Sequence, residues 1–158
     1  MTLPHQRPEF PNLKKFQYKI TSLPDVGHNC IAYAAGDLNR KWWPGAVGHW
    51  PEGVPEEETL DAFQRAFATL GYKPTKDGKH EKGFEKIAFY ATRDGVRHAA
   101  RQMLDGKWKS KLGDDYDIEH VLRDLEGTSY GKVVAFMKRP IRSTKELAVE
   151  KEKKKGEF

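Results

Sequence analysis

Residues 85–112, EKIAFYATRDGVRHAARQMLDGKWKSKL, decide the fold. The apolar period here is near two, and Asp94-Gly95 and Asp105-Gly106 fall between the runs as hairpin turns. The stretch therefore predicts three strands, 85–92, about 96–103 and 107–112, joined as an antiparallel meander. The second turn admits two registers. A two-residue turn pairs Leu104 with Lys107 and puts His98 on the face of Lys109 and Lys111. A three-residue loop with Gly106 in a bulge pairs Met103 with Lys107 instead. It lines up His98, Ala100, Gln102, Trp108, Ser110 and Leu112 on one face. That register hides Trp108 and Leu112 together, and it is the one we expect.

Working outward, a short helix is expected to begin at Cys30. Asn29 is a good N-cap, Ile31 to Ala35 form an apolar run, and Gly36 ends it. A loop rich in Gly and Pro follows, carrying Trp42, Trp43 and Trp50. A second helix is predicted over 55–70, with Pro55 at its first position and Glu56, Glu57 and Glu58 complementing its dipole. Leu60, Phe63, Phe67 and Leu70 mark its buried face, and Gly71 ends it. Residues 1–24, with Pro4, Pro8, Pro11 and Pro24, read as an extended N-terminal arm, with a short edge strand around Phe16, Tyr18 and Ile20. Downstream, a short helix is predicted over 117–125 and a strand over 132–138, ending before Pro140. The resulting expectation is an α+β protein, with one domain over 25–140 and a charged C-terminal tail over 141–158.

Composition narrows the function classes. The chain has 158 residues, 37% hydrophobic and 32% charged, with 8 Phe, 6 Tyr and 4 Trp. That is too aromatic for a disordered chain, and no apolar run is long enough to cross a bilayer. The single cysteine excludes an internal disulfide framework and any multi-cysteine metal site. A cytoplasmic location is the default, with export that uses no cleavable signal left open. The net charge of +5 is concentrated partly in the tail, at Lys151, Lys153, Lys154 and Lys155. Elsewhere Lys and Arg mix with Asp and Glu and do not interleave with aromatics, so nucleic acid is not the expected partner. A protein or peptide is. No cofactor and no metal is expected: no phosphate-cradling glycine loop is present, and nothing in the spacing of His98, Asp117, Glu119 and His120 demands a metal.

Cys30 is the sharpest chemical candidate. A thiol at a helix start faces free backbone N–H groups, which lower its pKa and can hold an oxyanion after attack on an acyl carbon. A cysteine nucleophile needs a base. His98, set between Arg97 and the small Ala99 and Ala100, leaves room for a helix to approach and is the candidate. Ser110 lies across the Asp105-Gly106 turn and can orient the imidazole, with Asp117 or Glu119 as alternatives. Trp42, Trp43 and Trp50 are expected to form one wall of a cleft, with Asn29 and Gln102 also contacting substrate.

Asn29-Cys30-Ile31-Ala32-Tyr33-Ala34-Ala35-Gly36-Asp37, Trp42-Trp43-Pro44, His98-Ala99-Ala100-Arg101-Gln102, Trp108-Lys109-Ser110-Lys111-Leu112-Gly113 and Asp117-Ile118-Glu119-His120 together resemble a bacterial domain family of unknown function. The order of Cys30 at a helix start and His98 on a strand more remotely resembles the papain-like cysteine hydrolases. That resemblance implies a papain-like arrangement, with the cysteine helix packed on the meander. It also implies peptide or isopeptide hydrolysis, or glutamine deamidation, through a Cys-His pair. The competing expectation is a non-catalytic protein–protein interaction module of the immunity, adaptor or phage-accessory type. The sequence does not reveal the oligomeric state.

Overall fold

The computed structural model describes residues 3–113 and 115–141, so nearly all of the expected tail lies outside the described residues. The strands are β1 (Lys19–Ser22), β2 (Lys73–Thr75), β3 (Phe84–Thr92), β4 (Gly95–Gln102), β5 (Trp108–Lys111), β6 (Asp117–His120) and β7 (Lys132–Pro140). They form one seven-stranded sheet in the order β1-β6-β5-β4-β3-β7-β2. Every pairing is antiparallel. The protein is α+β, with two short α-helices, α1 (Cys30–Ala35) and α2 (Leu60–Ala68).

The meander expected from residues 85–112 is present, in the expected register. Met103 N–H donates to the Lys107 carbonyl at 2.8 Å, and Gln102 pairs with Trp108. Gly106 sits at φ +88°, where a side chain is disfavoured, and this closes the three-residue loop. At the first turn, Gly95 approaches the Glu58 carbonyl so closely that a Cβ would lie 2.4 Å from its oxygen.

Two expected helices differ. Residues 117–120 form strand β6, and only Leu122–Leu125 turn, as a 3-10 helix. Ile118 is the one apolar residue in that strand, and the other buried positions, Asp117 on one face and His120 on the other, are polar, so the strand is invisible to a hydrophobic pattern. The second helix begins at Leu60 rather than at 55. Thr59 is its N-cap, its side chain accepting from the Ala62 N–H at 3.2 Å. The glutamates upstream are outside the helix: Glu58 pairs with Arg97 at 2.5 Å and accepts the Val96 N–H at 2.8 Å. Phe63 and Phe67 form the buried face, as expected.

The alternation of β3 and β4 divides the core between two faces. On one, α1, α2 and Trp42 pack against Ile87, Phe89, Val96, Ala99 and Met137. On the other, Phe10 and Leu13 of the N-terminal arm pack with Tyr90, Ala100, Trp108, Ile118 and Leu125. The arm thus lies against the sheet, with a 3-10 turn at Pro4–Gln6.

Candidate functional site

Ser110 lies within β5 and is fully buried. Its Oγ is 2.9 Å from His98 Nε2 on β4 and 2.7 Å from His120 Nε2 on β6. Three adjacent strands therefore each contribute one member of a buried His-Ser-His chain. Their alternation puts all three on the face of Tyr90 and Trp108. The register expected from the sequence brings His98 and Ser110 together, whereas His120, placed in a helix by sequence reasoning, enters unannounced.

The proton positions follow from the partners. His120 Nδ1 lies 2.9 Å from the Val121 carbonyl, which can only accept, so this nitrogen carries hydrogen. Burial pushes the His120 pKa down to about 4, so the ring is neutral and its Nε2 is a lone pair. Ser110 donates its O–H to that lone pair and accepts from His98 Nε2–H. His98 is also neutral at ordinary pH, because burial first and then the neighbouring His120 hold its pKa well below the usual value. Its Nδ1 is left as a bare lone pair, buried and without a hydrogen-bond partner. Tyr130 stacks flat on the ring at 4.1 Å and 9°, and Tyr90 meets it edge-on at 5.2 Å. Tyr90 is itself anchored by donating its O–H to the Leu122 carbonyl at 2.5 Å. The imidazole is held by Tyr130 on one face, by Tyr90 from the side and by Ser110 at one nitrogen.

Cys30 opens α1, which rests on β4 and β5. The Ala99 N–H, one residue along β4 from His98, lies near enough to the sulfur to act on it and lower its pKa, as do the amides of Ile31 and Cys30. A strand N–H lies in the plane of its sheet, and β4 is covered by β3 on its other side. The sulfur therefore sits on the β5 side of β4, beyond the last β4–β5 pair, Arg101 with Lys109. The expected lowering of the thiol pKa is not found. Burial pushes it up to about 11, outweighing those amides and the Lys111 ammonium. Cys30 is 7% exposed, and a six-residue helix has too small a dipole to offset that desolvation. No hydrogen bond joins the thiol to His98.

The other candidates are placed elsewhere. Asp117 faces Lys111 across β5 and β6, with Lys111 Nζ 3.9 Å from its Oδ1, on the opposite side of the sheet from Ser110. Glu119 shares that side and pairs with Lys107 at 3.8 Å. Neither reaches His98. Asn29 clamps α1 to the tryptophan loop: its Oδ1 accepts from the Ala32 and Trp42 amides, and its Nδ2 donates to the Trp42 carbonyl at 2.8 Å. The tryptophans pack into the helical core. Trp42 donates to Asp37 at 2.8 Å, while Trp43 and Trp50 meet Phe63 edge-on. Gln102 donates to the Gly78 carbonyl at 2.8 Å, tying down the 76–83 loop. Among the described residues, no group of three or more His, Cys, Asp or Glu side chains is arranged to hold a metal, and no helix is long and apolar enough to cross a membrane. A surface cavity of about 460 Å³, lined in part by Phe16, Tyr18, Trp108 and Glu119, borders His120.

Sheet and site together define a small α+β domain with a buried histidine chain beside a lone thiol. The chain belongs to the family described as a domain of unknown function, DUF7689, which it matches over residues 19–138. That span runs from the first residue of β1 nearly to the end of β7 and contains Cys30, His98, Ser110 and His120. No curated protein and no solved structure matches the chain.

Proposed function

We propose that this domain is a cysteine hydrolase or amidase with a papain-like arrangement, acting on an amide of a protein or peptide. Cys30 is the nucleophile, His98 the base and Ser110 the orienting residue. The observation that carries this reading is the bare, buried Nδ1 of His98, on a ring fixed by Ser110, Tyr130 and Tyr90 and one residue from the amide that meets the Cys30 sulfur. The thiol and imidazole rest as neutral groups, so the proton moves during attack. Cys30 S–H passes its proton to His98 Nδ1 as sulfur bonds to the acyl carbon. The imidazolium then protonates the leaving amine, or ammonia from a glutamine side chain, as the C–N bond breaks. Water hydrolyses the thioester, restoring both groups. The backbone N–H groups around Cys30 supply donors for the oxyanion.

The test is covalent labelling at pH 7, read by mass spectrometry. A panel of peptidyl epoxides should modify Cys30 faster than iodoacetamide does, because only a ligand that seats its acyl site recruits the base. His98→Ala should abolish that advantage. Equal labelling of the two proteins, or no epoxide adduct at Cys30, refutes the reading. A non-catalytic interaction module is favoured by a different observation: the thiol is raised to about 11 and makes no hydrogen bond to His98. In that case Cys30 stays unmodified by every peptidyl electrophile until the protein unfolds.

A further inference from the structure

Ser110 cannot by itself decide which nitrogen of His98 carries the proton, because a hydroxyl both donates and accepts. We infer that His120 makes that decision: it is a positioning residue that acts through Ser110 to keep His98 Nδ1 free of hydrogen. Three contacts carry the argument. The Val121 carbonyl holds the proton of His120 on Nδ1, which leaves Nε2 as the acceptor for the Ser110 hydroxyl at 2.7 Å. Ser110 then has only lone pairs to offer His98 Nε2 at 2.9 Å. In this arrangement every ring N–H and hydroxyl O–H of the His98–Ser110–His120 chain has an acceptor. Running the chain backwards turns Ser110 toward His98 and moves the His98 proton to Nδ1, where nothing accepts it. It also brings a His120 lone pair against the Val121 carbonyl. Losing one buried hydrogen bond and orphaning one donor corresponds to a bias of roughly 5- to 150-fold toward the forward arrangement.

Removing His120 removes the bias. With Phe at position 120, either the Ser110 O–H or the His98 Nδ1–H is left without an acceptor, so the two arrangements become comparable. His120 thereby supplies the direction that an asparagine or aspartate would carry in its own side chain. The inference rests on the proposed hydrolase only for its catalytic consequence.

The experiment is long-range proton–nitrogen correlation NMR of the histidine rings in the full chain, without substrate. In the wild type, His98 should show a single form protonated at Nε2, and His120 one protonated at Nδ1. His120→Phe should show both forms of His98 in comparable amounts, with about a twofold loss in the rate of epoxide labelling at Cys30. A wild-type His98 protonated at Nδ1, or a wild-type His120 protonated at Nε2, overturns the inference even if the variant does not fold. A folded His120→Phe protein that keeps a single Nε2–H form also overturns it. The tautomers are read without chemistry, so failure of labelling with the expected tautomers sinks the hydrolase alone, and labelling with the wrong ones sinks this inference alone.

Discussion

Two neutral histidines buried in one sheet make the protein sensitive to mild acid. In the unfolded chain a histidine takes up its proton near pH 6.5, whereas His120 in the folded protein does so at about 4. A group with a depressed folded pKa of this kind leaves stability intact above pH 6.5. Stability is then lost as pH falls toward 4, because only the unfolded state binds the proton. At pH 5 the loss from His120 alone is roughly 2 kcal/mol, at about 1.4 kcal/mol per unit of the interval crossed. His98 is shifted in the same direction by burial and by His120, and His28 and His49, also lowered, add to the slope. The lowered carboxylates Asp37, Asp77 and Glu81 act at more acid pH, so the window from 6.5 to 5 belongs to the histidines. The assay is urea unfolding followed by tryptophan fluorescence at pH 8 and pH 5. The wild-type midpoint should fall by on the order of 1 M or more, given the usual urea slope for small proteins. His120→Gln should recover roughly 2 kcal/mol of the difference between the two pH values, whatever its absolute stability. A wild-type midpoint that does not move, or a variant with the wild-type pH slope, refutes the neutral buried chain.

Other expectations concern the supports of the site. Asn29→Ala removes the cap of α1 and both bonds to Trp42, and should cost roughly 2–3 kcal/mol in thermal unfolding. Gly131 has φ +76°, and a Cβ there would lie 1.9 Å from the Ala91 carbonyl oxygen, so Gly131→Ala should displace Tyr130 from His98. Loss of the upfield ring-current shift on the His98 protons reports it; an unchanged shift refutes the close approach. Phe63→Ala takes away the ring on which Trp43 and Trp50 rest and should cost about 3–5 kcal/mol, seen as a lower urea midpoint with altered tryptophan emission.

The meander and its register were legible because Trp108 and Leu112 need one buried face, and because Gly106 permits the loop that supplies it. The cap and stop of α1 were equally plain in Asn29 and Gly36. Strand β6 was not, since its buried positions carry Asp117 and His120, and polar residues hide a strand period. The start of α2 was misplaced because Pro55 and three glutamates imitate a helix start, while the contact that occupies Glu58, Arg97 on β4, is distant in sequence. At the site, His98 and Ser110 could be paired from register alone. His120 and Tyr130 could not, because their roles depend on a neighbouring strand and on a loop closed by the Gly127–Gly131 backbone pair. The direction of the Cys30 pKa shift was missed for a third reason: helix position is written locally, but burial is contributed by the whole fold.

The three residues of the Ser110 chain sit on consecutive strands, whereas Cys30 and β1 reach the sheet from the far N-terminal side. Local pairings close short loops and form early, and distant ones wait for longer closures. The histidine chain can thus assemble with the β4–β6 hairpins, and the segment bearing the thiol docks onto a sheet already built. During synthesis the order of emergence is the reverse, so the Cys30 segment leaves the ribosome well before the surface that buries it exists. In that interval its thiol is an ordinary solvated one, more open to oxidation or alkylation than at any time after folding.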